Sequence, residues 1–418
     1  MSLSLSRPSC WPSDADFALL ASQLSQPPIY PVPPESACYP VSDPSGNCAE
    51  VIARAFDPNW RPVQCSLPIS KRSSFRTGRL GSVSVDAQTA EDVQAAVVLA
   101  EKWNLRVVVK STGRGNSPAG SAGAAGCWVQ GGGHEILSPQ FGIGVDNAIQ
   151  FTVVTSSGSH LTANVYSHPD LFWANLRGGG GGTYGVLTSV AYDTHPEEYV
   201  VFVATEAAAT PAIAQSIGGY AYKATSGTVI EATQLFPSFY SVYTGIFAGN
   251  PSKTDGEGSN AELVSRLLPR GLIENDPETV AETLLSMNNT VIYHLVAGGA
   301  ASKVDPDSTG LNPAWRTAAA HVVLSEGWPE GTRVSDVRLI HGTLKGYLGV
   351  LEELLGLGGG AYFNEASLYE SNFQETFFGD HHSKLEAIKD QYDPAGLFVV
   401  VEGVGFERFD DTLDCLKA

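Results

Sequence analysis

Arg177-Gly-Gly-Gly-Gly-Gly-Thr-Tyr-Gly185-Val186-Leu187-Thr188 decides how the rest of this chain is read. Five glycines stand between Phe172-Trp173 and an apolar run of β type. Glycine has no Cβ and tolerates positive φ, so such a run lets backbone come close to a flat or charged ligand. A tight connection would use the same residues, so the neighbours must decide. Upstream, Ser82-Val-Ser-Val85 reads as a short strand. Thr89 to Trp103 reads as a helix, with Val93, Val97, Ala100 and Trp103 on one face and Thr89 with Asp92 as a capping pair. Leu105 to Lys110 reads as a buried strand running into Ser111-Thr112-Gly113-Arg114. Strand, helix, strand and glycine turn make a βαβ unit that ends in a loop suited to phosphate.

Further segments follow in order. They are Gln130-Gly-Gly-Gly-His134, Gly144-Val-Asp146-Asn147 before the strand Phe151–Val154, and Asn164 through Pro169-Asp-Leu-Phe-Trp173. Near the C-terminus come Tyr362-Phe-Asn364-Glu365, Asn372 to Gly379, and Ile388 to Phe398 with its Asp393-Pro394 turn. With Cys10-Trp-Pro-Ser13, this succession resembles the fungal, berberine-bridge-enzyme-like branch of the vanillyl-alcohol-oxidase superfamily. The resemblance covers nearly the whole chain. It implies an α+β protein with a two-lobed, PCMH-type FAD-binding domain built from N- and C-terminal segments. An α+β substrate domain of mixed sheet and helices lies between them. FAD would be held by Ser111, Thr112, Gly113, Arg114, Gly132, Gly133, His134, Asp146, Gly180, Gly185, Val186 and Asn364.

The departures carry as much information. Relatives have a flavin-linking His just after the first Thr-Gly, where this chain has Arg114. They also have several strands and a linking Cys before the second glycine run. Here Gly113 and Gly131 lie 18 positions apart (131 − 113). Strands average about 5–6 residues, so two short ones at most would fit, and Ser117 to Gly126 has no β pattern. Part of the FAD domain is missing. Cys127 stands at the junction and reads as a small buried thiol rather than a flavin link. Three accounts stay open: an enzyme with non-covalent FAD, a cofactor-free isomerase or cyclase using the same cavity, or an inactive remnant of a truncated gene model. Arg114 could pair with the FAD pyrophosphate or be an ordinary loop arginine.

The chain has 418 residues, 43% of them hydrophobic, enough for two domains with packed cores. Its formal charge of −19 argues against nucleic-acid or anionic-membrane partners. No apolar run long enough to span a bilayer occurs. The six cysteines show no C-x-x-C spacing, and Cys38 with Cys48 could close a disulfide across a Pro/Gly loop. Met1 to Pro12 lacks a developed signal sequence, while Asn288-Asn-Thr290 is a glycosylation triplet, so localisation is open.

Composition divides the chain into an irregular lead (1–70), a shortened FAD domain (71–198), a substrate domain (199–373) and a returning segment (374–418). In the third part, 200–204, 228–232, 291–296 and 321–324 read as strands, and 278–286 and 336–355 as helices. Tyr362 and Glu365 are the candidate catalytic residues, since the resemblance implies a Tyr or Glu that takes a substrate proton above the flavin. On an expected strand, Tyr362 and Asn364 share a face and Glu365 points away. Lys303 stands where some relatives have a catalytic Glu, and reads as a surface lysine. His134 reads as a local hydrogen-bonding residue, and His381 with His382 as a solvated helix start. No His/Cys/Asp set has ligand spacing, so no metal is expected. A small organic substrate and O₂ as electron acceptor complete the expectation.

Overall fold

The computed structural model describes residues 11–30, 34–40, 42–43, 45–53, 83–109, 123–174, 177–196, 200–208, 213–215, 222–224, 228–242, 244–245, 260–287, 289, 291–329, 332–356, 359–367 and 369–409. Helix α1 (Asp14–Gln23) opens with Ser13 and Asp16 as a capping box. Helix α2 (Ala90–Lys102) does the same with Thr89 and Asp92, as the sequence predicts. The two helices are tied by Lys102 to Asp16 at 2.7 Å.

The Asp92 carboxylate accepts backbone N–H groups of Ser25, Gln88 and Thr89 at 2.6, 2.8 and 3.0 Å. One side chain thus caps α2 and fastens the N-terminal lead to it. The Ser25 N–H, then those of Gln88 and Thr89, hold its pKa down to about 2. A depressed carboxylate stabilises the fold above its unfolded pKa, near 4, and that share is lost as pH falls towards 2. Asp92→Ala should therefore lower the thermal midpoint at neutral pH, and the gap to wild type should narrow below pH 3. A gap that stays constant with pH would refute this role.

The strands expected around α2 form differently. Ser84 makes an isolated antiparallel bridge to Ile29. Residues 105–109 join no sheet among the described residues, and Val107 N–H donates to Leu397 O. The expected βαβ unit is thus replaced, among the described residues, by contacts to the lead and the C-terminal segment. Val108 and Val109 are exposed. This fits a strand whose usual sheet neighbours are missing, leaving an uncovered edge.

The ordered sheet of the first lobe has strands β1 (Ala148–Thr155), β2 (His160–Ala163) and β3 (Gly185–Tyr192), all antiparallel, in order β2-β1-β3. Next in the chain, β4 (Val200–Ala208) pairs with Thr228–Phe236. Beyond it, β5 (Asn260–Pro269), β6 (Val291–His294) and β7 (Ala318–Trp328) form a second antiparallel sheet, with β7 in the centre. Helices Pro277–Ser286 and Val334–Leu355 pack on it around Val264, Leu268, Val322, Leu324, Leu344 and Leu351. Gly342, Gly346 and Gly349 face open space on the long helix, so they leave it continuous.

The C-terminal helix His382–Tyr392 returns to the first lobe. Tyr184 donates its hydroxyl proton to Leu385 O at 3.0 Å, and Ser156 donates to Tyr392 O at 2.8 Å. The main core accordingly mixes Phe151, Leu171 and Tyr184 with Trp315, Tyr362, Phe378 and Leu385.

Candidate active site between the glycine loops and Glu365

Residues 362–365 were expected as a strand. They form instead the cap and body of a 3₁₀ turn, Phe363–Glu365, closed by Glu365 N–H to Tyr362 O at 2.9 Å. The alternation of a strand therefore does not apply, and Glu365 lies beside Tyr362 rather than on the opposite face. This turn sits on both glycine loops. A Cβ at Gly131 would meet Asn364 at 2.6 Å, and one at Gly180 would meet Phe363 at 3.5 Å. Asn364 donates to Cys127 O and to the Tyr362 hydroxyl, each at 2.8 Å, and Tyr362 donates to Trp128 O at 3.3 Å.

The Glu365 carboxylate meets His134 Nε2 at 3.3 Å and His321 Nδ1 at 3.5 Å. His134 ends the loop Gln130–Gly133. Its ring stacks on Trp315 and meets Tyr362 edge-on, with centroids 4.6 Å apart. His321 lies on β7, directly opposite His294 on β6. The sheet thus sets two imidazoles side by side, and the loop brings a third.

Burial alone would raise the Glu365 pKa. The hydrogen bond with His134 and the fields of the three imidazoles more than offset it and bring it down to about 2. Burial, with His134 beside it, lowers His321 to about 3 against the pull of Glu365. Burial also lowers His294. Burial and the nearby Glu365 charge push the Tyr362 phenol far up. Near neutral pH the site holds an ionised carboxylate, a neutral phenol and two neutral imidazoles.

Ser111, Thr112, Gly113 and Arg114 lie outside the described residues. His134, Gly180 and Asn364 come together as described, while a Cβ at Gly132 would stand 3.9 Å from the Tyr362 ring and one at Gly133 3.2 Å from Trp128. Asp146 does not stand free for a cofactor: Arg316 donates to both its oxygens at 2.9 and 2.8 Å, and Ile143 N–H adds a third bond. Gly185 and Val186 are spent in β3, where a Cβ at Gly185 would strike Val154 O. Cys127 is free and exposed rather than buried. A Cβ at Gly181 would stand 2.8 Å from its Sγ.

His381 and His382 are buried, not a solvated helix start. His381 bonds to Leu311 O and Asp307, and His382 lies between Phe373 and Phe378. Lys303 is exposed, and Cys38 and Cys48 form the expected disulfide. His294 and His321 were missed as site residues. Each is a lone His in an apolar strand, and only the pairing register makes them neighbours.

The segment 361–405 matches the family described as berberine and berberine like. Over its whole length the fold superposes on a VAO-type flavoprotein of Myceliophthora thermophila C1, MtVAO615. The TM-score is 0.82 at 21% identity, covering 99% of this chain and 100% of that one. Berberine bridge enzyme superposes with a TM-score of 0.63 at 12% identity, over 94% and 99% of the two chains. These likenesses define the fold class, that of the VAO-type flavoproteins.

An FAD-linked oxidoreductase of Arthroderma benhamiae is 28% identical over 96% of this chain and 93% of its own length. FAD-linked oxidoreductase ZEB1 of Gibberella zeae is 25% identical over 95% and 91%. Over nearly its whole length the chain is thus similar to fungal FAD-linked oxidoreductases, and over 361–405 to the berberine and berberine-like family. The Arthroderma alignment runs 551 positions against 418 residues, so at least 133 of them (551 − 418) have no residue in this chain.

The described residues fit a flavin edge in part. Buried Gln130 Oε1 and Thr183 Oγ1 flank the glycine run without a hydrogen-bond partner, and the side of Gly180 and Gly182 is less crowded than the rest. A Cβ at Gly178 would strike Leu311 backbone and one at Gly179 would strike Ala174 O, so there the glycines serve packing within the protein.

Proposed function

We propose that the protein oxidises a C–H or C–OH bond of a small organic substrate in fungal secondary metabolism, with non-covalently bound FAD and O₂ as the final acceptor. The observation that supports this most is the turn 362–365, which sets a neutral phenol and an ionised carboxylate against both glycine loops. Gln130, Gly132, Gly133, Gly180, Thr183 and Asn364 would hold the flavin ring, and 111–114 its phosphates. When bound, FAD supplies the two-electron acceptor; the protein supplies orientation and proton handling.

Tyr362, which keeps its proton, would position a substrate oxygen by turning its O–H from Trp128 O towards it. Glu365 would receive the substrate proton. In its bond with His134 it is a weak acceptor, and a substrate that displaced His134 would leave burial to raise its proton affinity. The Cys38–Cys48 disulfide favours an oxidising compartment.

Arg114 at the position of the His link, and the missing Cys segment, support non-covalent binding. Acid denaturation should release all flavin to the supernatant, and the intact mass should equal that of the bare chain. A flavin adduct on the protein would overturn this. The self-packing of Gly178, Gly179 and Gly181 favours a second reading, a cofactor-free isomerase or cyclase. Its signature would be a sharply melting protein without visible flavin absorbance. Gly180 has φ 91°, where any L side chain is strained. A Gly180 variant therefore reports on flavin retention only at matched thermal stability.

A further inference from the structure

We propose that His134, His321 and Glu365 bind a divalent transition-metal ion of the zinc class. Their nearest donor atoms all lie within 4.8 Å of one another. Glu365 Oε2 stands 3.3 Å from His134 Nε2 and 3.5 Å from His321 Nδ1. An ion with Zn–N and Zn–O bonds of about 2.0–2.2 Å in tetrahedral geometry needs donor separations of roughly 3.3–3.6 Å. Both of these separations meet this, and the third, between His134 and His321, is at most 4.8 Å.

His321 is fully buried, and neither of its ring nitrogens has a hydrogen-bond partner among the described residues. Buried polar atoms are normally satisfied, so such an orphan calls for a ligand. An ion on Nδ1 would give that nitrogen its partner. His294 is the neighbour on the paired strand, with ring centroids 5.9 Å from His134 and 6.2 Å from His321. Its Nδ1 is likewise buried and without a hydrogen-bond partner among the described residues. Two imidazoles with one carboxylate disfavour Ca²⁺ and Mg²⁺, which take oxygen ligands. Three protein donors leave a fourth position for water or substrate oxygen, the arrangement of catalytic rather than structural zinc.

The proposal does not rest on flavin. Metal and the proton-acceptor role would compete for the same Glu365 oxygen, and metal content and flavin content are measured separately. The test uses the full chain without a histidine tag, stripped with EDTA and titrated with Co²⁺ and then Zn²⁺. We expect one Co²⁺ per chain, with tetrahedral ligand-field absorbance that Zn²⁺ displaces. Changes around metal ligands already cost about 10–100-fold in affinity. His134→Gln and Glu365→Gln, which remove a ligand, should therefore weaken binding by at least about 100-fold. His160→Ala, on exposed β2, should not change it. Melting curves of the metal-free variants check that they fold. X-ray absorption of the Zn²⁺-loaded wild type should show scattering from two imidazoles and needs no variant. Absence of stoichiometric Co²⁺ binding, a Zn²⁺ shell without imidazole, or folded variants that bind as wild type would each overturn the proposal.

Discussion

Asp393→Ala should destabilise the protein by about 3–5 kcal/mol, the cost of leaving one partner of a buried ion pair alone. Lys389 and Asp393 are both buried, at 1% and 0% exposure, with Nζ 2.8 Å from the carboxylate. Lys389 also donates to Thr183 O and Phe398 O at 2.6 and 2.8 Å, and Asp393 accepts the N–H groups of Leu397 and Phe398. Burial lowers the Lys389 pKa and Asp393 opposes that shift, so the alanine variant strands an ammonium in the core together with two peptide N–H groups. Urea unfolding measures the loss. The double variant Lys389→Met/Asp393→Leu should recover part of it, since no charge is then left buried. A single-variant loss below about 1 kcal/mol would refute the account. Thr183 closes the glycine run, so the same variant should also loosen the candidate flavin edge.

The second large effect belongs to Asp146 and Arg316, which lie on segments 170 positions apart and are joined by a bidentate pair. Arg316 further donates to Ala301 O at 3.1 Å. Removing either partner should cost about 3–5 kcal/mol, but the two losses should differ. Arg177 lies close enough to feel both residues: burial lowers its pKa most, Asp146 raises it and Arg316 lowers it. Arg316→Met leaves Asp146 with Arg177 as a nearby counter-charge. Asp146→Ala leaves two guanidiniums near one another with no anion between them. Asp146→Ala should therefore be the more damaging by chemical denaturation, and the reverse order would disprove this reading.

Much of the fold was legible in the sequence because local signals sufficed. The Thr89–Asp92 capping box, the helix with Pro277 at its first turn, and the apolar runs of β1 and β7 all formed where composition placed them. What failed depended on partners far away in the chain. The segment 105–109 has a strand's composition, but a strand needs neighbours, and its contact is Leu397. Tyr362 to Glu365 has no apolar period to distinguish a strand from a turn. The loop 111–114 lies outside the described residues.

The site was half legible. The resemblance pointed to Tyr362, Glu365 and His134, while His294 and His321 are 27 positions apart (321 − 294) and meet only through the β6–β7 register. Asp146 likewise depends on a partner far away in the chain. Its sequence position suggests a ligand contact, and its carboxylate is used by Arg316.

The placement of His321 and His294 on adjacent strands gives the site one stiff wall and one compliant wall. β7 is held along both sides, by β5 over most of its length and by β6 over four residues. Among the described residues β6 sits at the edge of the sheet with β7 as its single strand neighbour, and His294 is its last residue. Local opening starts where few bonds must break at once. Fraying at that edge would swing one imidazole away while His321, Glu365 and His134 keep their distances. The number of basic nitrogens facing the carboxylate is therefore adjustable by a motion of four residues, with the rest of the core at rest.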